Sequence, residues 1–244
     1  MGKTMKRIVL ILLFLILGVS TAALAYLHFF APGDEDLSGE WTAELDMTEQ
    51  AAVTALDWLQ DIEAVTVSLE DMEDYMQDLT VQVNLTLEQT ARFEGTFRCS
   101  VLPESYEACR QSAYEAFARA FRDLLAERLR MAGYTDGTDG EAVEALVAET
   151  FGMSTVSYLM SYGPALLPSL EELQDRYDGS GTYANAEGIL TRQFDEGGSA
   201  AVKAESYIRK EASLILTGET GSVPTGLFSD HYPMVYTLRQ TQNP

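Results

Sequence analysis

Apolar and polar residues alternate along two separated stretches of the chain. In the first, every other residue from Trp41 to Met47 is apolar. In the second, the same alternation runs from Leu79 to Leu87. A period of two is typical of a strand that buries one face and exposes the other. The sequence therefore predicts one strand in each stretch.

A third alternating run follows the second after a short polar segment at 89–92, with Phe93, Gly95, Phe97 and Cys99 on one parity. Two alternating strands joined by a short polar segment are typical of an antiparallel hairpin. Five further strands are predicted near the C-terminal end, over 179–184, 188–194, 204–209, 213–217 and 234–239.

Between these groups the apolar residues recur at three- and four-residue steps, which indicates helices. Thr48 can cap a first helix, and Glu104 opens a long one that Gly133 ends. Shorter helices are predicted after the 135–140 turn, over 154–162 and over 169–177. The segment 65–78 is open between strand, short helix and loop.

The strands at both ends of the chain thus flank a helical block at about 104–177. Because each strand group must bury its apolar face, we expect the two groups to pair with each other. The predicted fold is α+β. It is an antiparallel β-barrel or rolled sheet over 38–244 that carries one helical insertion.

The N-terminal 37 residues differ from this domain. Residues 1–7 contain three of the basic residues, and 8–30 contain no Asp, Glu, Lys or Arg. Twenty-three helical residues span about 34 Å, enough for a hydrocarbon core of about 30 Å. The alternative is a signal peptide cleaved after Ala23-Leu24-Ala25, but the apolar run continues to Phe30 and favours an uncleaved anchor. Residues 31–37 form a short linker, and the basic flank places the domain outside the cell membrane.

The chain is strongly acidic, with a formal charge of −22. Three of the 16 basic residues precede Ile8, so thirteen remain against all 38 acidic ones, a charge of −25 for the rest of the chain. Such a charge repels nucleic acid and anionic head groups and favours solubility, cations or a basic partner. We therefore expect no nucleic-acid partner.

Several catalytic chemistries lack their residues. The two histidines are His28, in the apolar segment, and His231, which is expected in a turn; a zinc site or a histidine-based triad is therefore not predicted. No phosphate loop, dinucleotide fingerprint or Gly-x-Ser-x-Gly elbow is present. The segment 136–141 has some features of a calcium loop, but a turn with a helix cap accounts for its residues. The acidic group at 70–74 is expected to be a solvated face. We predict no cofactor, no metal and no enzyme, with a carboxylate-based hydrolase as the less favoured alternative.

Cys99 and Cys109 are the only cysteines. In an oxidising exterior they could form a disulfide that closes a short loop. The alternative is two buried free thiols, and the sequence leaves both open.

Ser38-Gly39-Glu40-Trp41 resembles the Gly-x-Trp that opens lipocalins. In that family an Arg or Lys of the last strand packs across the Trp and closes the barrel end. The resemblance implies this role for Arg239, which would gain about 0.5–2 kcal/mol over Trp41. The helical insertion departs from the family. The layout is also similar to lipocalin-like, membrane-anchored exported proteins of gut Gram-positive bacteria.

Together these features predict a membrane-anchored, extracytoplasmic, lipocalin-like binding or interaction module. Its partner would be a small apolar ligand in the barrel mouth or a protein on the insertion. An envelope structural or regulatory protein without a small ligand is the main alternative.

Overall fold

Eight antiparallel strands close into a barrel in the order of the chain, with the last strand paired to the first. The structure is a computed structural model that describes residues 36–60, 67–195, 202–218 and 232–239. The strands are β1 Gly39–Asp46, β2 Thr80–Ala91, β3 Glu94–Val101, β4 Gly179–Ala186, β5 Ile189–Phe194, β6 Val202–Lys210, β7 Ser213–Thr217 and β8 Met234–Leu238. The helices are α1 Thr48–Gln60, α2 Leu69–Tyr75, α3 Pro103–Met131, α4 Gly140–Phe151, α5 Thr155–Tyr162 and α6 Leu170–Tyr177.

The alternating strands place their apolar residues inside the barrel. In β1 and β2 the buried positions are those of one parity, and Trp41 pairs in register with Leu85. Strand β8 closes the barrel because Tyr236 pairs with Ala43 of β1 and with Leu214 of β7. The sheet is therefore a closed barrel, and the alternative of an open rolled sheet is not observed.

The strand register gives the barrel two different ends. We call the end with residues 36–38 and the tight turns at 92–93, 187–188 and 211–212 the closed end. We call the opposite end the mouth. Both helical connections, 47–79 and 102–178, leave and re-enter the barrel at the mouth.

The helices share one apolar core with the barrel. Buried residues of α1, α3 and α6 belong to the same cluster as the inward residues of the strands. Tyr106 of α3 donates its hydroxyl proton to the Pro168 carbonyl at 3.0 Å, and Tyr114 donates to the Pro164 carbonyl at 2.8 Å. These bonds fix the 163–169 connection against α3. The helical layer therefore continues the core beyond the mouth.

Local capping explains where the short helices begin. Ser68 and Ser169 each form a capping box with an acidic residue three positions later, Asp71 and Glu172. Such boxes satisfy backbone N–H groups that the first turn leaves without partners. The segment that the sequence left open thus contains helix α2, and Asp71 of its acidic group is part of a cap.

The observed elements confirm the α+β fold with a barrel and helices, and two details differ from expectation. Strand β2 continues to Ala91 with a register shift after Gln89, so the turn lies at Arg92 and Phe93. Phe93 has a φ of 65° and is a turn residue rather than the first residue of the next strand.

In the described residues, no helix is long and apolar enough to cross a membrane. The predicted membrane segment 8–30 lies outside them.

Candidate functional site

A buried ion pair lies inside the barrel, between two neighbouring strands. Arg192 of β5 and Glu205 of β6 are 5% and 0% exposed. The Arg192 Nε donates to Glu205 Oε2 at 2.8 Å, and Nη2 donates to Oε1 at 2.7 Å. This bidentate geometry matches the guanidinium fork to both carboxylate oxygens. The two side chains meet because Arg192 has the same inward parity as Leu190, and Leu190 pairs in register with Glu205 of the adjacent strand.

The remaining polar atoms of the pair also have partners. The Tyr232 hydroxyl donates to Glu205 Oε1, and Arg192 Nη1 lies 3.1 Å from Cys99 Sγ. Both oxygens of Glu205 are therefore occupied by donors inside the barrel. A carboxylate held in this way is poorly placed to act as a base or a nucleophile.

Aromatic rings and charge surround the guanidinium. The Arg192 Cζ lies 5.5 Å from the Phe97 ring centroid and 5.7 Å from that of Phe194. Burial opposes the charged form of Arg192, but the negative charge of Glu205 and the hydrogen bonds to it favour that form, and the pKa lies above the ordinary value. The Arg192 side chain is therefore cationic at every physiological pH.

Burial has the opposite consequence for the acidic groups near the pair. It raises the pKa of the Cys99 thiol, against the lowering influence of Arg192. It also raises the pKa of the Tyr236 hydroxyl, whose proton is directed at the Met234 sulfur at 3.7 Å. Both groups are neutral at pH 7. The interior thus contains one ion pair with neutral polar groups around it.

A cleft at the mouth reaches this cluster from outside. It has a volume of about 620 Å³ and lies where α6 meets strands β3, β4 and β5. Cys99 and Phe194, which face the barrel interior, form part of its wall. The other lining residues are mostly polar: Arg98, Gln174, Asp175, Asp178, Gly179 and Ser180. We refer to this space as the mouth cleft.

Two glycines of β4 lie where neighbouring groups approach the strand closely, and the first of them, Gly179, lines the mouth cleft. A Cβ on Gly179 would meet the Phe194 ring at 2.7 Å, so the missing side chain lets this ring lie against the backbone. A Cβ on Gly181 would meet the Gln193 carbonyl oxygen at 1.9 Å, which shows how closely β4 and β5 approach. The β4 backbone therefore lies close to both the Phe194 ring and the neighbouring strand β5.

Asp178 links the mouth cleft to the barrel wall. Its Oδ1 accepts a hydrogen bond of 2.6 Å from the Val101 backbone N–H at the end of β3. Burial raises the pKa of Asp178, although the bond from Val101 lowers it. The carboxyl group thus serves as the junction between α6, β3 and β4.

A second cleft of about 530 Å³ adjoins the first on the outer face of the sheet, and the two share Arg98 and Ser180. The Ser180 hydroxyl donates to Asp195 Oδ2 at 3.1 Å. The polar surface of the mouth cleft therefore continues along β3 and β4.

The Gly-x-Trp motif lies at the closed end, where strand β1 begins. Trp41 is fully buried, and its Nε1 donates to the Leu37 carbonyl at 2.9 Å. Arg239 is exposed; its backbone N–H donates to the Glu40 carbonyl at 2.7 Å, beside Trp41. The cation that the structure places over the Trp41 ring is Arg209 of β6, with Cζ 5.8 Å from the centroid. A side-chain contact between Arg239 and Trp41 stays a prediction.

Both cysteines are buried free thiols in the structure, Cys99 on β3 and Cys109 on α3. Burial raises the pKa of Cys109 to about 11, with a smaller contribution from Asp46. The structure brings Cys99 to Arg192 rather than to Cys109. Pairing under oxidising conditions stays a prediction.

Other candidates from the sequence have structural roles where they are described. Asp139 in the 136–141 segment caps α4 through a 2.8 Å bond from the Ala142 N–H. Among the described residues, no group of three or more His, Cys, Asp or Glu side chains could hold a metal ion. His231 lies outside the described residues.

The residues of the interior cluster were missed by sequence reasoning. Arg192 and Glu205 both occupy inward positions in strands that the sequence did predict, so strand parity alone could have indicated them. The approach of Tyr232 and Cys99 depends on barrel closure and carries no local signal.

Comparison with protein-family models, curated proteins and solved structures found no match.

Proposed function

We propose that this protein is a membrane-anchored, extracytoplasmic, lipocalin-like binding module whose ligand occupies the mouth cleft. The observation that carries the proposal is a closed barrel whose mouth has a cleft of about 620 Å³ walled by the inward residues Cys99 and Phe194. Small-molecule sites are typically concave and occur in the mouths of β-barrels. The anchor and the outside location rest on the sequence of residues 1–30.

The lining favours a small polar ligand over the apolar ligand expected from the sequence. The polar groups that line the mouth cleft are a cation, an amide, a carboxylate and a hydroxyl, from Arg98, Gln174, Asp175 and Ser180 respectively. Phe194 adds one apolar contact. Orientation by a few polar groups against an apolar surface is the usual basis of specificity. The fully occupied Glu205 supports binding rather than catalysis.

A thermal-stability screen of small polar molecules tests the proposal. A ligand at about 100 times its Kd stabilises the native state by about 2.7 kcal/mol, which for a domain of this size raises Tm by roughly 5–11 °C. The variant Ser180→Trp, at an exposed position that lines the mouth cleft, should abolish the shift. Ala186→Trp, at an exposed position near the other end of β4, is the matched control and should keep it. Equal shifts in both variants would contradict the proposed location.

A further inference from the structure

The chain enters the barrel at a fixed point of the closed end. Leu37 is only 1% exposed, and its carbonyl accepts the bond from Trp41 Nε1 at 2.9 Å. One residue earlier, Asp36 accepts a bond of 2.8 Å from the Ser38 N–H. Residues 36–38 are therefore held at the end of the barrel opposite the helices.

The chain between this point and the predicted anchor is short. Six residue steps separate Phe30 from Asp36, which span at most about 22 Å when fully extended. The eight residues of β1 rise about 20 Å along the axis of a barrel with the usual strand tilt. To reach the membrane, the helical layer would need a linker running the full height of the barrel. The linker length thus favours a closed end that lies next to the lipid.

Charge is divided unequally between the two ends. The described helical connections, 47–60, 67–78 and 102–178, contain 21 Asp and Glu against six Arg, a net charge of −15. The described barrel residues contain ten Asp and Glu against seven Lys and Arg, a net charge of −3. An anionic lipid surface repels the helical layer much more strongly than the barrel. Linker length and charge therefore favour the same orientation.

We infer that the closed end of the barrel faces the phospholipid surface, and that the mouth cleft and the acidic helical layer face away from it. This inference rests on the proposed anchor in residues 8–30. It makes the mouth the surface that ligands and partners meet first.

Energy transfer from single dye labels to lipids can measure the orientation. The full-length protein would be reconstituted in vesicles of phosphatidylcholine and phosphatidylglycerol that carry an acceptor dye on lipid headgroups of both leaflets. Ala212→Cys labels the closed end and Ala165→Cys labels the helical layer, both at exposed positions. Ala184→Cys on β4 and Thr237→Cys on β8 label opposite sides of the barrel at exposed positions. Because Cys99 and Cys109 are buried, the unmodified protein serves as the labelling control.

Transfer from the Ala212→Cys label should exceed that from the Ala165→Cys label roughly twofold or more, given a barrel about 20 Å tall. The two side labels lie in the half of the barrel nearer the closed end, so they should give similar values, both above that of the Ala165→Cys label. Equal transfer from both ends, or strongly unequal side labels, would overturn the orientation. An alkaline wash of the vesicles tests the anchor separately: protein released by the wash would refute the anchor and the orientation with it, whereas retained protein with the reverse order of transfer would refute the orientation alone.

Discussion

Removing one partner of the Arg192–Glu205 pair should destabilise the protein severely. The variant Glu205→Gln leaves a guanidinium that is 5% exposed without its counter-charge. Breaking a buried pair typically costs about 3–5 kcal/mol, since the remaining charge stays desolvated. For a domain of this size we expect a fall in Tm of roughly 6–20 °C.

The double variant Arg192→Met with Glu205→Leu separates the cost of a lone charge from the value of the pair. Replacing both ions by apolar side chains is often neutral or stabilising. Here Tyr232 and Cys99 also lose a partner, so we expect a modest loss that is smaller than that of Glu205→Gln alone.

Urea unfolding followed by tryptophan fluorescence measures these differences, and an exposed pair offers the control. Arg110 Nη2 and Glu107 Oε2 are 2.8 Å apart on the surface of α3. Glu107→Gln should therefore lower the free energy of unfolding by less than about 1 kcal/mol. Equal losses in Glu205→Gln and Glu107→Gln, or a double variant that is less stable than Glu205→Gln, would refute the cost of a lone buried charge.

Four further predictions concern single residues. Asp178→Asn keeps an acceptor for the Val101 N–H, so it should change the free energy of unfolding little. Asp178→Ala removes the acceptor and should cost about 1–3 kcal/mol. Urea unfolding of both variants measures this, and equal losses of stability would contradict it. Because burial raises the pKa of Asp178, the wild type should lose stability as pH rises through that pKa, and Asp178→Asn should remove this slope in a pH series of unfolding curves. Gly181→Ala places a Cβ 1.9 Å from a backbone oxygen and should disrupt the pairing of β4 with β5. Gly140→Ala is the control and should be tolerated, because the nearest atom to its Cβ is 3.4 Å away. Thermal melts that rank the two variants in the reverse order would refute the close approach of the strands. Burial raises the pKa of Cys109 to about 11, so its thiol should react with a thiol reagent in the native state only as pH approaches that value. In urea it should react readily. Mass spectrometry counts the adducts, and rapid labelling of the native protein at pH 8 would show that Cys109 is not buried.

Much of the fold follows from local pattern. The period-two runs at Trp41–Met47 and Leu79–Leu87 correspond to β1 and β2 within a few residues. The long helix begins at Pro103, next to the expected Glu104, because proline suits the first helical turn. These features depend on neighbours in sequence, so they can be recognised without knowing the tertiary structure.

The interior cluster depends on contacts between distant residues. Arg192 and Cys99 are 93 positions apart, and Tyr232 reaches Glu205 across 27. Their meeting requires the register of the β3–β4–β5–β6 ladder and the closure of the barrel, neither of which has a local signature. The cation over Trp41 is a similar case, since Arg209 of β6 reaches this ring from a distant part of the chain.

Native mass spectrometry of the protein extracted gently from its own membranes tests binding in the mouth cleft most directly. We expect a bound small molecule on the wild type and on Ala186→Trp, and its loss from Ser180→Trp. A bound mass that persists unchanged in Ser180→Trp, or no bound mass in the wild type under conditions that keep it folded, would contradict binding in the mouth cleft.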